Sequence, residues 1–169
     1  LGSPGIVTSF VEGKQFLSLA NPTAWAKTLA QMLVKIHNVS CDLSADYWMD
    51  GNTETVWFIH SDTHIERMAP HEDGEIIGQT VCEYVDRRVS VSPTFIHIDF
   101  WSGNILWKNG NISAVLDWEE AARGESGYDL AYARMELFLL GLDNAAKVLL
   151  ESYEAETGKR VENLALWEL

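Results

Sequence analysis

Asn109-Gly110 separates two short apolar runs, Ile105-Leu106-Trp107 and Ile112-Ser113-Ala114-Val115-Leu116. Such a dipeptide between β-forming segments is a strong local signal for a two-residue hairpin, because both turn residues need positive φ and Asn and Gly tolerate it. The hairpin constrains its surroundings. Asn104, just before the first strand, and Asp117, just after the second, must fold back beside each other.

Upstream, Thr94-Phe95-Ile96-His97 reads as a short buried strand running into the polar loop Asp99 to Asn104. Kinase catalytic loops use an Asp-x4-Asn spacing, in which the Asp accepts the proton of the substrate hydroxyl and the Asn holds magnesium. The spacing alone is common. Asp117 at the end of an apolar strand, across the hairpin from Asn104, makes the joint pattern specific. Asp99 suits the base; Asn104 and Asp117 suit the ligands of a magnesium ion that bridges phosphates. Singly, a loop-capping carboxylate, a turn residue and a helix N-cap would account for Asp99, Asn104 and Asp117. The three in this order point to the metal and base half of a phosphoryl-transfer site.

Helical patterns surround this block. Asn21-Pro22 offers an N-cap followed by proline at the first helical position, and Trp25, Leu29, Met32/Leu33 and Ile36 share one face of a helix ending near Asn38. A second helix is expected over Glu75 to Val89, with Ile77, Val81, Tyr84/Val85 and Val89 on one side. Two more are expected over Tyr128 to Leu140 and Asp143 to Glu156, stopped by Gly141 and Gly158. Val161 to Leu169 has the start of another, Cys41 to Asp73 reads as loop or short irregular helix, and Ile6 to Val11 as a short strand.

With 169 residues, 47% hydrophobic content and seven tryptophans, the chain can bury one ordinary core. Its apolar runs fall short of the roughly 20 residues of a membrane span, and no signal-peptide pattern opens it, so a cytoplasmic protein with no membrane partner is expected. Cys41 and Cys82 lack metal-ligand spacing and read as two reduced thiols. A balance of 12 basic against 25 acidic residues, net −13, disfavours nucleic acid as partner and would attract a cationic small molecule. Between Cys41 and Ser90, eleven acids face three arginines, which would suit an amine-bearing substrate or simply a solvated face.

The segments His97-Ile98-Asp99-Phe100-Trp101-Ser102-Gly103-Asn104-Ile105-Leu106, Val115-Leu116-Asp117-Trp118-Glu119 and Tyr128-Asp129-Leu130-Ala131 resemble the aminoglycoside phosphotransferase family. The resemblance is carried by Phe95 to Ala131. It implies an α+β, mainly helical fold: the large, C-terminal lobe of a protein-kinase-like enzyme with a small catalytic β-hairpin. It also implies Asp99 as catalytic base, Asn104 and Asp117 as Mg²⁺ ligands, and Asp129 and His97 as structural supports of the loop. ATP or GTP would be the phosphate donor, and a small hydroxyl compound, such as an aminoglycoside, the acceptor.

By the same resemblance Val7 to Val11 is a hinge strand presenting backbone groups, those of Ser9 and Val11, to the adenine. Residues 1–13 would be hinge and linker and 14–169 the lobe. With no initiator methionine, no glycine-rich phosphate loop and no strand lysine, the chain is expected to be a piece that lacks the N-terminal nucleotide lobe. It is expected to be inactive or nearly so alone, and to self-associate through exposed cleft surface.

Ile98 departs from the family pattern, which usually has glycine there; a branched side chain is expected to exclude a left-handed backbone. The competing reading is a non-catalytic kinase-like binding or scaffolding module. Metal-dependent hydrolysis ranks last, because the further carboxylate or histidine ligands of a two-metal site are missing. His60 and His64 lack the intervening Glu of a zinc hydrolase motif and read as solvent-exposed polar residues.

Overall fold

The computed structural model describes residues 8–15, 20–40, 42, 50, 57 and 59–169. Helix α1, Pro22–His37, starts as its sequence requires: the Asn21 side chain accepts the N–H of Ala24 at 3.1 Å, and Pro22 occupies the first turn, where no N–H is needed. Its inward stripe is Ala26, Leu29, Ala30, Leu33 and Ile36. Short helix α2, Asp62–Met68, and α3, Gly74–Arg87, follow. After the loop come β1 (Thr94–Ile96), a 3-10 turn at Ser102–Asn104, β2 (Ile105–Lys108), β3 (Asn111–Val115) and β4 (Ala122–Gly124). Helices α4 (Ser126–Leu139), α5 (Asp143–Thr157) and α6 (Leu164–Trp167) complete the α+β, mainly helical chain.

The core forms where α1 lies against α5 and α4. Alanines 26, 30, 133, 145 and 146 let the helices approach, while Leu29, Leu33, Leu130, Leu137 and Leu149 fill the space between them. Phe100 and Ile105, from the loop and the hairpin, are buried in the same cluster. Burial of a large apolar side chain is worth about 1.5–3 kcal/mol, so these two anchor the loop to the helices.

The hairpin β2–β3 is antiparallel, from Ile105 opposite Val115 to Lys108 opposite Asn111, with a register shift between Leu106 and Trp107. Asn109 and Gly110 turn it with φ of 52° and 78°. A second two-stranded sheet, β1 with β4, pairs Ile96 with Ala122. No pattern in the sequence announced β4.

Thr8 to Gly13 carries no strand, and Ile6 and Val7 lie outside the described residues, so the expected Ile6–Val11 strand is not found in the part described. Pairing begins later, at Lys14, which exchanges both backbone hydrogen bonds with Trp107 at 3.0 and 2.8 Å. A Cβ on Gly13 would sit 2.5 Å from Ser113 Oγ and 2.7 Å from Leu106 Cβ. Glycine therefore lets this segment lie against the outer edge of the hairpin.

The expected apolar face of the 75–89 helix is only partly buried: Val85 is covered, but Ile77, Tyr84 and Val89 are exposed, because among the described residues α3 packs chiefly on α2 and α6. The C-terminal helix is short, and its neighbourhood is tied by buried Glu125, which accepts from Asn163 Nδ2 at 2.7 Å and Trp167 Nε1 at 3.0 Å. No described helix is long and apolar enough to cross a membrane.

Candidate active site

The loop from His97 to Asn104 joins β1 to the hairpin, and both ends of it are pinned from below by α4. Asp129, fully buried in the first turn of α4, accepts the backbone N–H of His97 at 2.8 Å through Oδ2 and that of Ile98 at 2.7 Å through Oδ1. Two turns further on, Glu136 accepts the backbone N–H of Ser102 at 2.9 Å and also its hydroxyl. The loop is thus held by carboxylates rather than by a strand ladder.

This clamp corrects one expectation. Ile98 does adopt the left-handed region, with φ of 73°, although its side chain is β-branched. A non-glycine residue held there costs of order 1–3 kcal/mol and persists only where surrounding contacts over-determine it. Asp129 supplies them by fixing two successive amides.

His97 is fully buried, and its Nε2 donates to the carbonyl of Leu116 at 2.8 Å. The ring packs on Trp118 at 4.5 Å between centroids, and Trp118 stacks on Phe95 at 5.7 Å. Its other ring nitrogen, Nδ1, is buried and has no partner among the described residues. His97 therefore couples the loop to the residue just before Asp117, which has φ of 61° and an exposed side chain.

At the loop's other end, Asn104 Nδ2 donates to the Asp99 carboxylate at 2.7 Å and to the Asp99 carbonyl at 3.0 Å. Both partners are acceptors, so the amide nitrogen must face them and the amide oxygen is turned elsewhere. The N–H of Leu116 donates to the Asn104 carbonyl at 2.7 Å. Asn104, which is bonded to Asp99, and Asp117 are thereby brought to one end of the hairpin.

Among the described residues no three His, Cys, Asp or Glu side chains converge as a metal cluster. The ligands expected from the sequence are the amide oxygen of Asn104 and the carboxylate of Asp117. Such a hard, sparse set suits Mg²⁺, which keeps several waters and completes its shell with phosphate oxygens, better than zinc.

Tyr132 and Glu136 were not singled out in the sequence. The Tyr132 hydroxyl hydrogen-bonds Asp99, and burial, then that contact with the carboxylate, pushes its pKa above the usual value. A signal existed: Asp129, Tyr132 and Glu136 lie at helical spacing as a polar stripe along the helix. Ser9 and Val11 are exposed, on the stretch leading to the Lys14 bridge. His60 is exposed near Asp86, whereas His64 is half-buried and bonded to the Ile59 carbonyl at 2.8 Å, against the expectation of two solvated histidines. Asp62, Glu66, Glu72, Asp73, Glu75, Glu83 and Asp86 are all exposed; Asp46 and Glu54 lie outside the described residues.

The model of the phosphotransferase enzyme family matches residues 1–164. Among curated proteins, the hygromycin-B 4-O-kinase of Escherichia coli is 53% identical over 36 residues, 21% of this chain and 11% of that protein. The homoserine kinase of Neisseria meningitidis serogroup B is 25% identical over 134 residues, 78% of this chain and 42% of that protein. The crystal structure of an aminoglycoside-3'-phosphotransferase of type VIII superimposes with a TM-score of 0.70 at 15% identity, covering 94% of this chain and 64% of that one. The chain thus spans less than half the length of these two curated relatives and under two thirds of the solved structure. At that identity the solved structure shows a shared fold.

Proposed function

Because the chain belongs to the phosphotransferase enzyme family, we propose that its parent protein moves the γ-phosphate of ATP or GTP to a hydroxyl of a small molecule. The observation that carries this reading is the contact of Asn104 Nδ2 with the Asp99 carboxylate at 2.7 Å, at the end of the hairpin that also carries Asp117. Asp99 would orient the acceptor hydroxyl and take its proton. Asn104 and Asp117 would hold Mg²⁺, which when bound neutralises charge on the phosphates. His97 and Asp129 keep the loop in place, and Ser9 and Val11 would offer backbone groups to the nucleotide base.

The net charge of −13 and the exposed acids of α2 and α3 support a cationic acceptor over an anionic one. An amine-bearing acceptor such as an aminoglycoside satisfies that chemistry. We place the protein in the cytoplasm, where the nucleotide is abundant.

Kinase sites also use a glycine-rich loop over the phosphates and a strand lysine, and neither motif occurs in this sequence. Positioning and electrostatics supply most of phosphoryl-transfer catalysis. On that reading these 169 residues turn over poorly or not at all by themselves, and self-associate.

The test is a coupled nucleotide assay on the parent reading frame across aminoglycosides, amino alcohols and sugars, with Asp99→Asn alongside. Acceptor-stimulated turnover lost in Asp99→Asn is the expected result. Mg²⁺-nucleotide binding without turnover on any acceptor would replace this reading with a non-catalytic module.

A further inference from the structure

Behind the loop runs a buried line of hydrogen bonds that the phosphotransfer reading does not use. Tyr153 Oη and His37 Nδ1 lie 2.7 Å apart, and His37 Nε2 lies 3.0 Å from Asp129 Oδ2, the same oxygen that accepts the His97 amide. The side chains of His37 and Asp129 are 5% and 0% exposed. His37 is the last residue of α1, and Tyr153 lies on α5, so the line joins two core helices to the loop.

The chemistry fixes the direction of each bond. An ionised carboxylate only accepts, so His37 Nε2 carries a proton toward Asp129 whatever the charge of the ring. With the ring neutral, Nδ1 accepts from the Tyr153 hydroxyl, which selects that tautomer. Burial pushes the Tyr153 phenol above its usual pKa and keeps it a donor, while a hydrogen bond with Ser126 opposes that shift. The Thr94 hydroxyl also binds the His37 carbonyl, tying the end of α1 to β1.

We propose that His37 is a positioning residue for the catalytic loop: its Nε2–H orients the Asp129 carboxylate that holds the His97 and Ile98 amides, and so sets the placement of Asp99. The argument is geometric. Asp129 has two oxygens and three close donors, the His37 ring and the two amides, and the amides are satisfied together only at one rotation of the carboxylate. Oδ2 is shared between the ring and the His97 amide, which leaves Oδ1 turned to Ile98. Without the ring donor the carboxylate is free to turn toward one amide, and the left-handed backbone at Ile98 loses what holds it. Asp99 is the next residue, so its carboxylate moves with that peptide. This role rests on the phosphotransferase reading for its kinetic consequence, but not for its structural one.

Three variants separate orientation from bulk. His37→Gln keeps a donor close to the position of Nε2; His37→Met keeps volume without a donor; Tyr153→Phe removes the group that selects the tautomer. In the parent protein we expect His37→Met to lower kcat about a hundredfold, as a misplacement near 1 Å does, with KM for acceptor and nucleotide within about twofold. His37→Gln recovers to within about tenfold of the native rate, and Tyr153→Phe falls between the two. Equal loss in His37→Met and His37→Gln, or a change confined to KM, overturns the proposal.

A second measurement needs no turnover. In the ¹⁵N-labelled 169-residue chain, amide exchange at Ile98 should quicken about tenfold in His37→Met relative to core amides such as Leu33, and return to the native rate in His37→Gln. Unchanged Ile98 exchange in His37→Met overturns the positioning role. Absence of phosphotransfer by the native parent sinks the functional reading instead and leaves the exchange result to decide.

Discussion

The backbone N–H of Leu116 donates to the carbonyl of Asn104 at 2.7 Å, one step beyond the last paired residues of the hairpin, Ile105 and Val115. That bond draws the two proposed magnesium ligands together through main chain alone. The relative position of Asn104 and Asp117 therefore depends on the turn at the far end.

Gly110→Val tests this dependence. At φ of 78° a β-branched residue is disfavoured by about 1–2 kcal/mol, and nothing lies within 4 Å of the site to compensate or to clash. Urea unfolding should show that loss, and Mg²⁺-nucleotide affinity of the parent protein should fall with it. Loss of stability with unchanged affinity would mean that the loop holds Asn104 and Asp117 without help from the turn.

Asn21→Ala removes the side chain that caps α1 at Ala24. A lost N-cap of this kind costs about 1 kcal/mol. Thermal unfolding should report that change, while kcat of the parent stays the same, because the cap lies at the opposite end of the helix from His37.

Tyr132→Phe deletes the hydroxyl that hydrogen-bonds Asp99. The phenyl ring still fills the space, so the fold is retained, but the base is less well oriented. Steady-state kinetics of the parent should show kcat lower by about tenfold, the order expected for one hydrogen bond to a charged group, with KM unchanged.

The folded-state pKa of Tyr153 is raised, first by burial and further by the charge of Asp129, against an opposing bond to Ser126. A raised folded pKa contributes stability that is fully present below the unfolded value near 10 and is lost as pH rises through the folded value. The urea midpoint should therefore fall as pH rises above about 10, and Tyr153→Phe should flatten that fall. A fall of equal steepness in the variant would remove Tyr153 from the account.

What was legible in the sequence was local. The hairpin turn, the cap of α1, the apolar stripe of the same helix and the αL glycine that ends α5 each follow from residues within a few positions of one another. Asp99, Asn104 and Asp117 could be proposed together because one turn links the last two and a short loop the first two. Strand β4 was illegible: Ala122-Arg123-Gly124 has no β-forming pattern, and its partner β1 is distant in sequence, so the pairing is set by tertiary structure. His37 gave no signal either. A histidine at the end of an amphipathic helix is ordinary until the fold sets Asp129 and Tyr153 on either side of its ring.

The left-handed backbone at Ile98 bears on how such chains are detected. Any search pattern that demands glycine between the histidine and the aspartate of this loop would discard the protein, although its main chain there has φ of 73°. What the conformation requires is an acceptor for two successive amides, and that acceptor is written far downstream, in Tyr128-Asp129-Leu130-Ala131. A pattern that paired the loop with that distant aspartate, and left position 98 open, would keep the chain.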